Sequence, residues 1–207
     1  MKTKTQLYQI LTGVFVACLL VSNILAAKTF TLFDFVLPTA VIIFPVVYIV
    51  NDVLAEIYGF KKTRNIIYLG FILNALAVGA YTVAIALPAP VFATETAQAF
   101  ETVLGSTGRL LLASFAAYLV GSLVNAGVMV RLKKRLEKHL MFRCVTSTAI
   151  GEGIDALIFI TIAFAGTMPW NDLLIMIVAQ ATFKTVFEVV FYPVTRVVVR
   201  KIQTLDE

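Results

Sequence analysis

Six stretches of this chain are each long and apolar enough to cross a lipid bilayer as a helix. About twenty helical residues, at ~1.5 Å per residue, span a hydrocarbon core of ~30 Å. The stretches cover residues 7–27, 37–58, 65–88, 109–130, 145–166 and 172–195. With 60% hydrophobic and 14% charged residues, the 207-residue chain has more apolar length than one soluble core can bury. We therefore predict an all-α integral membrane protein, in which residues 1–207 form a single domain, a bundle of six transmembrane helices.

The seventeen lysine and arginine residues are distributed unevenly between the two ends of this bundle. With a cytoplasmic N-terminus, fourteen of them fall in cytoplasmic segments, Lys28 and Arg109 fall outside, and Lys184 lies within the last stretch. Under the positive-inside rule, this bias predicts that both termini are cytoplasmic and that the protein resides in the inner (cytoplasmic) membrane. The net charge of +5 is then a topology signal, so the expected partner is the lipid bilayer with its anionic lipids, and not nucleic acid.

The connections between the stretches carry further predictions. Gly59 is placed to cap the second stretch, and Lys61-Lys62-Thr63-Arg64 is expected to form a tight inner turn. The outer connection over 88–108 has apolar residues at helical spacing, and either an interfacial helix or a loop on the headgroups fits it. Small residues at four-residue spacing predict close helix packing within the chain rather than a dimer seam: Gly13, Ala17, Ala113, Ala117 and Gly121.

Six charged side chains lie inside the apolar stretches: Asp52, Glu56, Glu152, Asp155, Lys184 and Glu188. An ionisable group at the bilayer centre costs about 2.5–3.5 kcal/mol on insertion scales, so several together require partners or a ligand. Counting the helical rise from the ends of the stretches places five polar residues in one layer near the midplane. They are Asp52, Asn74, Glu152, Asp155 and Lys184.

Two interpretations of this layer are open. Lys184 could neutralise Asp155 or Glu152 in a buried pair that fixes the register of the helices. The alternative is a binding site, because the deep acids outnumber the single deep base and suit a ligand rich in N–H donors. We favour the binding site, to which Asn51 and Gln180 would also contribute. Glu56 and Glu188, nearer the inner interface, are expected to be solvated or paired with nearby bases, namely Lys61, Lys62 or Arg196.

Aromatic side chains and local helix breaks lie beside the layer. Four aromatic residues could enclose a flat ring: Phe44, Tyr48, Phe159 and Phe183. Pro45 cannot donate to the Val41 carbonyl, and Gly151 and Gly153 permit a close backbone approach. A loosened helix at membrane depth is tolerated only where protein or a polar cavity satisfies its backbone, which favours a site here.

Motifs of enzymes and of nucleotide-driven pumps are absent from the sequence. The chain contains no Walker motif, so we do not expect it to bind ATP itself. His139 is the sole histidine, and Cys18 and Cys144, one in a stretch and one at a basic cytoplasmic edge, suggest neither a disulfide framework nor a metal site. We therefore predict no catalytic residues, no metal ligands and no cofactor, and hence no enzyme.

Three motifs together resemble the queuosine precursor transporter family. They are Phe44 to Gly59 followed by Lys61 and Arg64, Gly151 to Asp155 followed by Phe159, and Gln180 to Lys184. The resemblance covers nearly the whole chain. It implies a six-helix membrane protein similar to the substrate-binding components of energy-coupling-factor vitamin transporters. It also implies uptake of 7-cyano-7-deazaguanine or 7-aminomethyl-7-deazaguanine for tRNA modification.

The chemistry of a 7-deazaguanine matches the polar layer. Its guanidine-like edge carries N1–H and an amino group, which one carboxylate accepts bidentately. The hypothesis is that Asp155 or Glu152 accepts hydrogen bonds from this edge. Lys184 or Gln180 would then bind the O6 acceptor. Asp52, with Asn51, would then hold the far edge or the 7-substituent.

Other functions remain open at this point. The same scaffold could bind another vitamin or flat heterocycle, or the chain could be a membrane assembly protein without transport activity. The energy source is open between facilitated entry, proton coupling through Glu152 or Asp155, and docking to an energy-coupling module. The oligomeric state is open as well.

Overall fold

The computed structural model describes residues 4–25, 27–32, 35–105, 108–166 and 169–204, and gives the backbone alone for 29, 31–32, 35–38, 41, 44–45 and 108–111. Helices dominate these ranges, and two short paired strands lie between the first and second helices. The helices are α1 Lys4–Leu25, α2 Phe44–Ala86, α3 Thr94–Leu104, α4 Gly108–Lys133, α5 Leu140–Phe164 and α6 Trp170–Gln203. Strands β1 Thr29–Leu32 and β2 Phe35–Pro38 pair antiparallel, with Thr29 opposite Pro38, and short 3-10 turns cover Thr39–Ile42 and Val91–Ala93.

Among the described residues, five helices are long and apolar enough to cross a membrane. They are α1, α2, α4, α5 and α6, and they account for all six apolar stretches of the sequence because α2 contains the second and third. A helical, membrane-spanning architecture is therefore confirmed. Several helix ends differ from the predicted ones: α2 begins at Phe44, α5 begins at Leu140, and α6 continues to Gln203.

Gly59 divides α2 into two arms. Its backbone, with φ 75° and ψ 171°, leaves the helical region for a left-handed φ that a residue without a Cβ adopts at low cost. The first arm runs antiparallel to α1, since Thr39 bonds the Leu25 carbonyl and Tyr58 bonds the Lys4 carbonyl.

The second arm runs back along α1 in the same direction as α1. The Tyr8 hydroxyl donates to the Lys62 carbonyl near the start of this arm, and Asn23 Nδ2 donates to Asn74 Oδ1 further along it, at 2.7 Å. The chain thus reverses at Gly59 itself. The prediction of a turn over Lys61 to Arg64 is wrong, because these residues are already helical.

The segment before α2 is also not what the apolar pattern predicted. Residues 37–43 belong to β2 and a 3-10 turn instead of a transmembrane helix, because a short apolar run does not by itself distinguish strand from helix. Pro45 lies in the first turn of α2, where a residue without an N–H is well tolerated. It therefore begins this helix and does not break it.

The closest helix contact joins α4 to α5 through two facing glycines. A Cβ added at Gly121 would lie 2.8 Å from the Asp155 Cβ, and one added at Gly151 would lie 2.7 Å from the Asn125 Cβ. With Ala113 and Ala117 buried, the predicted packing face on α4 is confirmed. The α1 prediction is wrong, because Gly13 and Ala17 are exposed.

Two further segments complete the description. The outer connection contains a helix, α3, which confirms the helical interpretation of that segment; Phe100 on it is exposed. Whether this helix lies at the membrane interface stays a prediction. The buried core is built mainly from α1, both arms of α2, α4 and the ends of α5 and α6.

Candidate functional site

Polar residues one helical turn apart on the first arm of α2 organise the interior of the bundle. Tyr48, Asp52 and Glu56 are spaced by four residues, so they lie on one face and are separated by about 6 Å along the axis. Each meets a different group of side chains from α4, α5 and α6. We name these groups the Tyr48 layer, the Asp52 layer and the Glu56 layer.

The Tyr48 layer is a network around one amine. Lys184 Nζ lies 2.6 Å from Glu152 Oε2 and 2.7 Å from Asp155 Oδ2, and the Tyr48 hydroxyl donates to the same Glu152 oxygen at 3.1 Å. The Lys184, Glu152 and Asp155 side chains are only 12%, 8% and 17% exposed. The Lys184 amine thus bridges two carboxyl groups of the neighbouring helix α5. The layer therefore contains one more acid than it has bases.

The Asp52 layer contains two further acids and a thiol. One carboxylate oxygen each of Asp52 and Glu188 and the Cys144 sulfur lie within 4.8 Å of one another. Asn125 Nδ2 from α4 donates to Asp52 Oδ1 at 3.4 Å. Asp52 is fully buried and Glu188 is 2% exposed.

Several acceptors in and beside this layer have no hydrogen-bond partner within the described part of the chain. They are Asn51 Oδ1, Asp52 Oδ2, Asn125 Oδ1 and Glu188 Oε1. A buried acceptor left without a donor costs about 1–3 kcal/mol, and a charged one costs more. Four such oxygens on three helices are the clearest indication of a ligand site in this structure.

The Glu56 layer is a closed ion-pair network. Arg143 binds both carboxylate oxygens of Glu56, with Nη2 3.1 Å from Oε1 and Nη1 bonded to Oε2. Lys133 Nζ lies 3.3 Å from Glu56 Oε1 and also donates to the Glu56 backbone carbonyl. The Arg143 and Glu56 side chains are 2% and 3% exposed, so this pair is buried.

A cavity of about 540 Å³ opens at the Glu56 layer. Its walls come from the ends of α1, α4 and α6 and from the middle of α2 beside Gly59, and they include Lys4, Tyr8, Tyr58, Lys62 and Gln203. Residues near both ends of the chain therefore lie at the same end of the bundle. The polar layers lead from this cavity toward Lys184.

The predicted site residues separate into three groups. Tyr48, Glu152, Asp155 and Lys184 meet in one layer, and Asn51 and Asp52 lie about one turn along α2 from it. The predicted layer therefore holds for Glu152, Asp155 and Lys184, whereas Asp52 lies at a second level, one helical turn along α2. Gln180 and Phe159 are half-buried; Phe159 packs edge-on against Phe164, with ring centroids 6.2 Å apart.

Three of the predicted residues are placed elsewhere. Asn74 is buried, but it bonds Asn23 and so ties α2 to α1. Phe183 follows Gln180 on α6 but is 36% exposed and packs against Phe187. The side chain of Phe44 lies outside the described residues.

Three predictions about the end of the site near Glu56 need correction. Glu56 is paired as expected, but with Arg143 and Lys133 instead of Lys61 or Lys62, because α5 begins five residues earlier than predicted and brings Arg143 into the bundle. Glu188 is neither solvated nor bonded to Arg196; it is buried beside Asp52. Cys144 is likewise fully buried in the bundle and not at its edge.

Sequence reasoning missed six residues of the layers: Asn125, Lys133, Arg143 and Cys144, and Glu56 and Glu188 as site residues. A signal existed for some of them. Cys144 precedes Glu152 by eight residues and Glu188 follows Lys184 by four, so both continue the polar faces of their helices. Asn125 and Arg143 had no such signal, since only the packing of α4 and the true start of α5 bring them to α2.

Comparison with known proteins identifies the relationship. The model of a family described as "Putative vitamin uptake transporter" matches residues 38–198. The chain belongs to this family. That span contains all three polar layers, and the family is one of transporters and not of enzymes. The family and the five long apolar helices of the described residues together indicate a multi-pass membrane protein.

Two curated relatives bear a more specific name. A "Probable queuosine precursor transporter" of Bacillus subtilis (strain 168) is 26% identical over 150 residues, covering 72% of this chain and 65% of the relative. A protein of the same name from Haemophilus influenzae (strain ATCC 51907 / DSM 11121 / KW20 / Rd) is 27% identical over 124 residues, covering 58% of this chain and 49% of the relative. The chain thus matches about half to two thirds of their length. No solved structure matches it significantly.

Proposed function

We propose that this protein imports a 7-deazaguanine precursor of queuosine, 7-cyano-7-deazaguanine or 7-aminomethyl-7-deazaguanine, across the inner membrane. The names of the two relatives support this solute, and the family supports the transport of a small molecule. The proposal includes six crossings by one unit over residues 1–207, with the arms of α2 as separate crossings. It also places both termini in the cytoplasm, in line with the lysine and arginine distribution.

The observation that carries the proposal is the excess of buried acceptors. Asn51, Asp52, Asn125 and Glu188 each have an oxygen without a partner among the described residues. A 7-deazaguanine presents several N–H donors around a flat ring, so its binding would satisfy acceptors that the chain itself leaves open. An apolar vitamin would leave them unpaired at a cost of about 1–3 kcal/mol each.

The proposed roles follow from the positions of the layers. Glu152 or Asp155 accepts hydrogen bonds from the N1–H and amino edge of the ring. Lys184 or the half-buried Gln180 donates a hydrogen bond to O6. Asp52 and Asn51, one turn further along α2, hold the opposite end of the ring or its 7-substituent. Phe159 is the remaining predicted aromatic that is partly enclosed by the bundle.

The bonds of Lys184 favour both a structural role and a binding role for the Tyr48 layer. Lys184 binds both acids and holds α6 against α5, as the structural interpretation of the sequence required. A solute with both an N–H edge and a carbonyl can replace one of these bonds without leaving a charge unpaired. Pairing and binding are therefore compatible in the same three side chains.

Growth of a strain that cannot synthesise the precursor tests the function. Cells that express this chain and receive nanomolar precursor should recover queuosine in their tRNA, and the expressed variants Asp155→Asn and Lys184→Ala should not. Asp172→Asn and Lys201→Ala are matched controls, because both residues are exposed on the same chain, and these variants should restore queuosine fully. Full activity of Asp155→Asn and Lys184→Ala at wild-type membrane levels would refute the site assignment.

Competition distinguishes this solute from another vitamin. Unlabelled guanine-class compounds should compete with labelled precursor, whereas unrelated vitamins should not. The energy source, including proton coupling and docking to an energy-coupling module, stays a prediction of the sequence, as does the oligomeric state.

A further inference from the structure

The Asp52 layer has no positive charge of its own. Among the described residues, Lys184 forms ion pairs with the two acids of the Tyr48 layer. Arg143 and Lys133 form ion pairs with Glu56. Neither Asp52 nor Glu188 forms an ion pair with any described residue, and each has an unpartnered oxygen. Two carboxylates thus share a buried site without a cation.

A second observation indicates that this layer is prepared for a ligand. The Asn125 side chain, 1% exposed, is directed into the layer, because its Nδ2 donates to Asp52 Oδ1 at 3.4 Å. Its own Oδ1 has no partner within the described ranges. Taking an unpaired carboxylate out of water is far more costly than burying a neutral polar group, so these two carboxyls must hold protons or bind a cation, and a bound cation would also give the open oxygens a partner.

The spacing of the acceptors suits an ammonium group. The two carboxylate oxygens and the Cys144 sulfur lie within 4.8 Å of one another. Three groups this close together can all contact one small cation placed between them. An alkylammonium has three N–H donors, which can bond the carboxylate oxygens of Asp52 and Glu188 and the Asn125 carbonyl oxygen. The same atoms could also ligate a divalent metal ion, so the test below includes Zn²⁺ and Mg²⁺.

We infer that Asp52 and Glu188, with Asn125, form a subsite for a protonated amine carried by the transported ring. This inference rests on the proposed function and specifies its solute: the aminomethyl precursor should be preferred over the cyano precursor. The Tyr48 layer lies about 6 Å away, one helical turn, so one molecule can place its ring edge there and its substituent here. A cyano nitrogen is an acceptor without charge and would face two carboxylates.

Binding measurements on the purified full chain in lipid nanodiscs test this inference. The wild type should bind 7-aminomethyl-7-deazaguanine about ten- to a hundredfold more tightly than the 7-cyano compound, the value of one charge-assisted hydrogen bond. Glu188→Gln, which keeps the shape of the side chain, should abolish most of this preference, because it weakens binding of the aminomethyl compound more than binding of the cyano compound. Glu101→Gln, at an exposed position on α3, is the matched control and should retain the preference.

The possible failures are distinguishable. Equal affinity of the wild type for both compounds would overturn the amine subsite and leave the proposed function intact, and this comparison needs no variant. A preference that survives in Glu188→Gln, together with Zn²⁺ or Mg²⁺ binding that this variant loses, would assign the layer to a metal ion and also overturn the inference. Binding of neither compound would refute the proposed function itself.

Discussion

Replacement of Lys184 by methionine should destabilise the protein because it leaves two buried acids without their base. Methionine keeps the length of the side chain but removes the charge-assisted bonds of 2.6 and 2.7 Å to Glu152 and Asp155. Removing one partner of a buried ion pair typically costs 3–5 kcal/mol. Because these side chains are 8–17% exposed, we expect the lower end of that range, about 3 kcal/mol. In a protein of this size that corresponds to a decrease in melting temperature of roughly 6–12 °C.

The fully buried Cys144 provides the assay. In a Cys18→Ala background, a fluorogenic maleimide can label Cys144 only as the bundle opens, so its signal on heating in detergent reports unfolding. Lys133→Met is the matched control: its side chain is 36% exposed and Glu56 keeps Arg143, so the loss should be below about 1 kcal/mol. Neutralising Glu152 and Asp155 as well should recover most of the loss in Lys184→Met. Equal melting temperatures for Lys184→Met and Lys133→Met would refute this reasoning.

Two further predictions use the same assay. Gly151→Ala should cost about 1–3 kcal/mol, because its Cβ would overlap the Asn125 Cβ at 2.7 Å, whereas Gly153→Ala, with open space around it, should be neutral or slightly stabilising. An unchanged melting temperature in Gly151→Ala would mean that α4 and α5 are not held at this distance. Tyr48→Phe should cost about 1 kcal/mol through its lost bond to Glu152, and the exposed Tyr68→Phe should cost nothing measurable.

Much of this arrangement could be predicted from the sequence, because it depends on local spacing. The apolar stretches located the helices, and Gly59 was identified as the end of an arm. The contact of Lys184 with Glu152 and Asp155 was anticipated because the two acids are three residues apart and so share one face of their helix. Each of these features depends on residues within a turn or two of each other.

The rest could not be predicted because it depends on packing between helices. Strands β1 and β2 lie in an apolar part of the sequence, next to the apolar stretches that form helices, so the sequence pattern did not distinguish them. The depth of each polar residue was counted from a predicted helix end, so an error in that end became an error in the depth. Because α5 begins earlier than predicted, every residue on it lies at a different level relative to α2. Asn125 reaches Asp52 only because Gly121 and Gly151 allow α4 and α5 to approach closely.

The excess of acid in the three layers is a property that no change of helix register could remove. The layers contain five carboxylates and three bases among the described residues: Glu152, Asp155, Asp52, Glu188 and Glu56 with Lys184, Arg143 and Lys133. If α6 moved by one turn, Lys184 would meet Asp52 and Glu188 would join Glu56 and Arg143. Glu152 and Asp155 would then be the unpaired acids in place of Asp52 and Glu188. Since the register decides only where the two unmatched carboxylates lie, either bound protons or a bound cation must neutralise them, and a cationic solute would replace those protons.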